Sequence, residues 1–255
     1  SLIGIAVVIS FVGLIIIFNV VRSNSRQSNF RPIPAYTKLK RAIGLAVEDG
    51  AQTHVSLGRG GVTSPQSASA FVGLSMLRQV IKLAAAGDRP PIATTGNAAL
   101  AILAQDTIQG TSEEIKINKK KEVLTGELTG LTPFSYAVGT LSTIRDHRVS
   151  SNILAGWYGS EIIWLTTAGD RQGSFTMAGS AHLPAQAVMY ATVEEPLLGE
   201  ELFAGGAYLG AGPTHESSLN VQDVWRWIIV AGILIGLILK LAGFGSLLNS
   251  MVGTP

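Results

Sequence analysis

Apolar residues are spread unevenly along the chain. Leu2 to Val21 is almost continuously apolar, with Ser10 and Asn19 as its clearly polar positions. Trp225 to Leu248 is a second such stretch, interrupted by Arg226 near its start and Lys240 near its end. Twenty helical residues rise about 30 Å, the thickness of a bilayer's hydrocarbon core. The pattern predicts one transmembrane helix over residues 1–21 and a second over 224–248. Polar, Ser/Asn/Pro-containing linkers are expected at 22–34 and 211–223, with a soluble domain at 35–210 between them.

Within the domain the pattern changes to short apolar runs, each followed by a glycine and then a helical spacing. After a helix at Ala35 to Val47, with Leu39, Ile43, Ala46 and Val47 on one side, four such units begin at Thr53, Pro90, Ser150 and Gly173. Their turn glycines are Gly58, Gly96, Gly156 and Gly179. Strands alternating with helices at this spacing predict βαβ units. The expected fold class is therefore α/β, a largely parallel, doubly wound sheet flanked by the two transmembrane helices. In the first unit Phe71, Leu74, Leu77 and Ile81 are expected to face the sheet, and Ser75, Arg78, Gln79 and Lys82 the solvent. The helix from Asn97 to Ile108 is apolar nearly all round and is expected to be buried. Ile115-Lys116-Ile117 suggests a small edge hairpin, Pro133 to Arg145 another helix, and Pro196 to Leu209 a short one.

Charge sharpens the picture. Over the whole chain 14% of residues are charged, 47% are hydrophobic and the mean hydropathy is +0.35, which fits a chain with its ends in lipid. The net charge of +2 divides unevenly. Pro34 to Asn220 holds fourteen Lys/Arg against sixteen Asp/Glu, so the domain is slightly acidic. The basic surplus comes from Arg22, Arg26, Arg31, Arg226 and Lys240, beside or within the apolar ends. A domain without a basic surface argues against nucleic acid as a partner, and Lys119-Lys120-Lys121 is flanked by acidic residues as a solvated loop would be. Basic residues inside both spans place the domain on the cytoplasmic side of the cell (inner) membrane. Trp225-Arg226-Trp227 reads as an interfacial anchor, and Gly232, Gly236 and Lys240 share a helix face suited to contact with another helix.

Candidate chemistry is sparse. The chain has no cysteine, which excludes disulfides and thiolate chemistry. His54, His147, His182 and His215 occur in no metal-ligand spacing, so no metal and no cofactor is expected. Ser160 is not in a nucleophile elbow. Gly58-Arg59-Gly60-Gly61 is the best ligand candidate: glycine-rich turns opening helices offer free N–H groups to phosphate, and Arg59 adds a guanidinium. It is neither GxGxxG nor a Walker A loop, and a strand–glycine–helix turn is also what a parallel sheet requires sterically, so a structural turn is the leading expectation for it. Thr95 and Asn97 form a second such turn, where helix capping is the competing role. Nothing compels an enzyme.

The stretches AVEDGAQTHVSLGRGG and PPIATTGNAALAILA, with the two terminal spans, resemble an uncharacterised family of bacterial membrane proteins carrying a domain of unknown function. The resemblance implies a terminal helix at each end and supplies no activity. Two functions are expected from the residues. The first is a membrane-anchored structural protein whose 29 glycines and few charges favour self-association into a homo-oligomeric ring or larger assembly. The alternative is a membrane-tethered ligand-binding or enzymatic domain with a phosphate- or nucleotide-type site at the strand carboxyl ends, its small molecule unspecified.

Overall fold

The structure is a computed structural model that describes residues 2–22, 30–115 and 126–242. It divides into two units, residues 1–29 with 212–255, and residues 30–211.

The larger unit is built on six strands in the order β3-β2-β1-β4-β5-β6. These are β1 (Gln52–Gly58), β2 (Ile92–Thr95), β3 (Gly126–Leu128), β4 (Val149–Trp157), β5 (Phe175–Ser180) and β6 (Glu195–Leu197). Every pairing among them is parallel. Parallel strands need crossovers, and helices supply them: α3 (Ser67–Leu83) after β1, α4 (Ala98–Glu114) after β2, α5 (Pro133–Asp146) after β3, α6 (Ile162–Arg171) after β4 and α7 (Leu183–Thr192) after β5. Helix α2 (Pro34–Glu48) precedes β1 and α8 (Gly205–Leu209) follows β6.

Side-chain alternation separates two faces. Val55, Ala93, Ile153, Met177 and Leu197 point into a core shared with α2, α3 and α4. Leu154 and Ala178 point the other way, into a core with Tyr136 of α5, Leu165 of α6 and Met189 of α7. Helices cover both sides, so the sheet is doubly wound, and β1 is buried along its whole length.

Local sequence sets the helix limits. Pro34 opens α2, and Gly50 just beyond it adopts φ +63°. Thr132 and Ser135 form a reciprocal capping box ahead of α5, with Pro133 in its first turn. The buried stripe of α3 includes the expected Leu77 and Ile81, with Leu74 half-buried, but is broader and shifted: Ala70, Gly73, Met76, Val80 and the expected solvent residue Gln79 are also buried, and Phe71 is 51% exposed. The reason is close approach. A Cβ on Gly73 would lie 2.5 Å from the Ala155 carbonyl oxygen, so a glycine is what meets β4 at that point. Helix α4 is likewise not buried all round; Leu100, Ala104 and Ile108 are inside, and Ile102 is 70% exposed.

Other expectations shift at the edges. The charged segment before β3 was expected to form a hairpin. Gly126–Leu128 instead adds a parallel edge strand to β2, Ile115 caps α4, and residues 116–125, with Lys119 to Lys121, lie outside the described residues. Pro196 sits in edge strand β6, where its missing N–H is tolerated, followed by a 3-10 helix at Gly199–Leu202 before α8.

Beneath the carboxyl edge, one face of the central strands carries polar groups. His54 is fully buried, with Nδ1 2.8 Å from Asn152 Oδ1 and Nε2 2.8 Å from Thr94 Oγ1. Asn152 Nδ2 points at the Leu165 carbonyl, so its Oδ1 accepts from His54 Nδ1. The neutral ring then accepts at Nε2 from the Thr94 hydroxyl. Next along the strand, Ser56 Oγ meets the hydroxyls of Tyr136 and Tyr158. Tyr158 also donates to the Ser56 carbonyl at 2.6 Å. Burial pushes both tyrosines above their ordinary range.

The smaller unit contains α1 (Leu2–Arg22) and α9 (Pro213–Leu241), which pack against each other. Helix α9 is long and apolar enough to cross a membrane; the apolar stretch in α1, Gly4–Val20, is shorter. At 29 residues α9 measures about 43 Å, more than a hydrocarbon core requires. It starts at Pro213, inside the expected linker 211–223, because Pro213 suits a first helical turn and Glu216 complements the helix dipole there.

Two outcomes follow. Replacing Gly156 by Ala places a Cβ on the Leu57 carbonyl; the variant should lose roughly 1–3 kcal/mol in denaturant unfolding. Burial, against the Asn152 hydrogen bond and with a small contribution from His147, lowers His54 from 6.5 to about 4. The neutral form is the folded one, so its contribution is complete above pH 6.5 and lost as the pH falls towards 4. Unfolding of wild type across that window should lose on the order of 3 kcal/mol that His54→Gln does not.

Candidate functional site

The order of the strands fixes where a ligand site belongs. From β1 the chain runs outward through β2 to β3, then returns to pair β4 on the other side of β1. The chain leaving β1 turns to α3 on one face of the sheet and the chain leaving β4 to α6 on the other. Open parallel sheets bind ligands in the crevice between loops arranged in this way. The glycine-rich loop Gly58 to Gly61 lies at that point, facing Trp157 to Glu161.

Hydrogen bonds continue past the strand ends and hold the loops in register. Arg59 N donates to the Trp157 carbonyl at 2.8 Å, and Gly96 N to the Gly58 carbonyl at 2.9 Å. Opposite Ser56 and Gly58, β4 carries one extra residue, since Leu154 and Trp157 are the respective partners. This bulge re-aims Trp157 and Tyr158. Gly58 adopts φ +71°, and a Cβ there would fall on the Trp157 carbonyl, so no other residue fits. Among the described residues no acceptor meets the main-chain N–H of Gly60, Gly61, Val62 or Thr63. Main-chain N–H groups without protein acceptors are donors that a turn can offer to an anion.

Arg59 reaches across the crevice. Its Nε donates to Glu161 Oε1 at 2.8 Å, and the Gly159 N–H donates to the same oxygen at 2.9 Å. The Glu161 side chain is only 7% exposed. Burial pushes its carboxyl up, but the Gly159 N–H and Arg59 outweigh this and hold it below the ordinary carboxylate range.

His182, ahead of α7, closes the far side. Its ring lies 4.6 Å from that of Trp157, and Nδ1 donates to the Tyr158 carbonyl at 2.9 Å. In the neutral ring that leaves the lone pair on Nε2. Trp157 therefore stands between Gly60, whose added Cβ would lie 3.1 Å from the Trp157 Cβ, and His182.

The structure gathers Gly58, Arg59, Gly60, Gly61, Thr95 and Asn97 at one edge but gives them different roles. Thr95 Oγ1 donates to the Gly58 carbonyl, and Asn97 Oδ1 caps α4 by accepting from Leu100 N at 3.1 Å. These two serve the loops. Trp157, Glu161 and His182 were not predicted; the signal was the second glycine turn, Gly156 to Gly159, which follows β4 as Gly58 to Gly61 follows β1. No group of three His, Asp or Glu suited to a metal occurs among the described residues. The smaller unit's candidates are separate. Arg226 lies 3.6 Å from Asp223, Trp227 is exposed, Lys240 is exposed, and a Cβ on Gly232 would meet nothing within 4 Å.

Neither the curated proteins nor the solved structures contain a match to this chain. A family model does match, over residues 2–251, nearly the whole chain and both units just described, and the chain belongs to that family, described as domain of unknown function DUF6754.

Proposed function

We propose that the α/β domain binds a small phosphate-bearing ligand at the sheet's switch point and is held at the cytoplasmic face of the inner membrane by α9 and α1. One observation carries the reading: the loop Arg59 to Thr63, with a guanidinium and four main-chain N–H groups that no described acceptor meets, follows β1 where the strand order reverses. Open parallel sheets bind ligands at that place, although fold likeness alone assigns no chemistry. A negative group there gains hydrogen bonds that no protein acceptor supplies. The half-buried Trp157 ring offers a flat apolar wall beside it. The end of β2 reads Thr94-Thr95-Gly96-Asn97 and has no carboxylate for a ribose diol, which disfavours the usual dinucleotide mode.

The full chain in detergent, titrated with inorganic pyrophosphate and with nucleoside triphosphates, should unfold at higher temperature. Ligand at 100 times its Kd adds about 2.7 kcal/mol. Gly60→Val, which crowds Trp157 and the Gln66 carbonyl, should abolish the shift. No shift with any of these probes at millimolar concentration sinks the reading.

A second reading, assembly into a homo-oligomer, is favoured by a different observation. Leu131 just before α5, Phe134 and Val138 of α5, Trp164 of α6, and Leu183 and Tyr190 of α7 are large apolar side chains left exposed on one layer of helices. Such exposure is unusual for an isolated domain. Native mass measurement in detergent should give a multiple of the 26.8 kDa chain, and Phe134→Glu with Leu183→Glu should reduce it. A wild-type monomer ends this reading.

A further inference from the structure

The Glu161 carboxylate already occupies a place where an anion would sit. It accepts from the Gly159 N–H and from Arg59 Nε on the same oxygen, at 2.9 and 2.8 Å. Its main-chain donor is thus in the β4 loop and its counter-ion is the guanidinium of the β1 loop. Two glycines make the arrangement possible. A Cβ on Gly159 would lie 2.5 Å from Glu161 Oε2, and a Cβ on Gly96 would lie 2.5 Å from Arg59 Cγ. Neither glycine has the positive φ that would demand glycine for its own backbone. Their lack of a side chain serves the pair, which needs room on the β2 loop for the arginine stem and on the β4 loop for the carboxylate.

We infer that Glu161 is an internal anion that holds Arg59 in the empty site and is displaced by the phosphate group of the ligand. The inference rests on the switch-point reading above. A tethered carboxylate competes at the high effective concentration of an intramolecular group. A free carboxylate offers the same two acceptor oxygens and one negative charge, so it gains nothing by exchange. A phosphate or pyrophosphate brings more oxygens and more charge. It can take Arg59 while also accepting from the N–H groups of Gly60 to Thr63, which Glu161 leaves unused. The pair therefore screens ligands by charge and oxygen number as well as closing the site.

The test uses the full chain in detergent, calorimetric titration with inorganic pyrophosphate, and acetate as the weak-anion control. Glu161→Gln keeps the shape and removes the charge. Gly159→Ala keeps every charge and expels the carboxylate by its Cβ, which meets only the end of a flexible side chain. Both variants should bind pyrophosphate about tenfold tighter than wild type, and Glu161→Gln combined with Arg59→Met should lose the gain. Wild type should bind no acetate. Variants that bind pyrophosphate no tighter than wild type overturn the latch and leave the ligand site standing, with the pair a structural tie. No binding by wild type or by either variant overturns the site and the latch together. Thermal unfolding of each variant checks the fold independently, and Gly159→Ala carries the test if Glu161→Gln does not fold.

Discussion

The close approach of β1 and β4 is the constraint on which the carboxyl edge of the sheet depends. A Cβ on Gly58 would fall on the Trp157 carbonyl, one on Gly156 on the Leu57 carbonyl, and one on Gly73 on the Ala155 carbonyl. Three glycines from a strand end, a bulge and a crossover helix thus let two strands and α3 meet at backbone distance. Because β1 and β4 are the pair at which the strand order reverses, this contact is also the floor of the crevice. Packing and site are the same feature seen from below and from above.

The polar layer under that floor has a related purpose. Parallel central strands are usually apolar on both faces, yet β1 presents His54 and Ser56 to one side. Each finds a partner: Asn152 and Thr94 for His54, Tyr136 and Tyr158 for Ser56. Tyr158 is fixed further by its own N–H, which donates to Ser180 Oγ at 3.3 Å, and by its carbonyl, which accepts from His182. A directional network specifies one register where an apolar layer would tolerate sliding. The register matters here because Trp157 directly precedes Tyr158, and Gly159 and Glu161 closely follow it.

The repeat of apolar run, glycine and helical spacing made the parallel α/β architecture legible, since it reports the alternation of strand and crossover directly. Asn97 and Pro133 likewise announce the starts of α4 and α5. The shifted face of α3 was not legible. Amphipathic spacing placed Leu77 and Ile81 inward correctly, but it put Phe71 on the same face, whereas Gly73 lies inward because β4 is too close there for anything bigger. Edge strand β6 was hidden by Pro196, which looks like a helix opening in sequence and is tolerated on an edge in space. At the site, Gly58 to Gly61 could be picked out by composition. Glu161 could not, because its meaning depends on Arg59, 102 positions earlier in the chain.

That long-range pair gives the edge of the sheet an asymmetry which the glycine loops alone lack. The loop after β1 offers N–H donors with a cation; the loop after β4 supplies a carboxylate that neutralises only the cation and one donor. A purely structural tie between two loops would be satisfied by any buried pair, and burying charge for stability alone is a poor bargain because desolvation offsets most of the attraction. Here the N–H groups of Gly60 to Thr63 remain without acceptors beside a guanidinium that is already committed. Unused donors next to an internally balanced charge are the ground on which we propose exchange of one anion for a larger one.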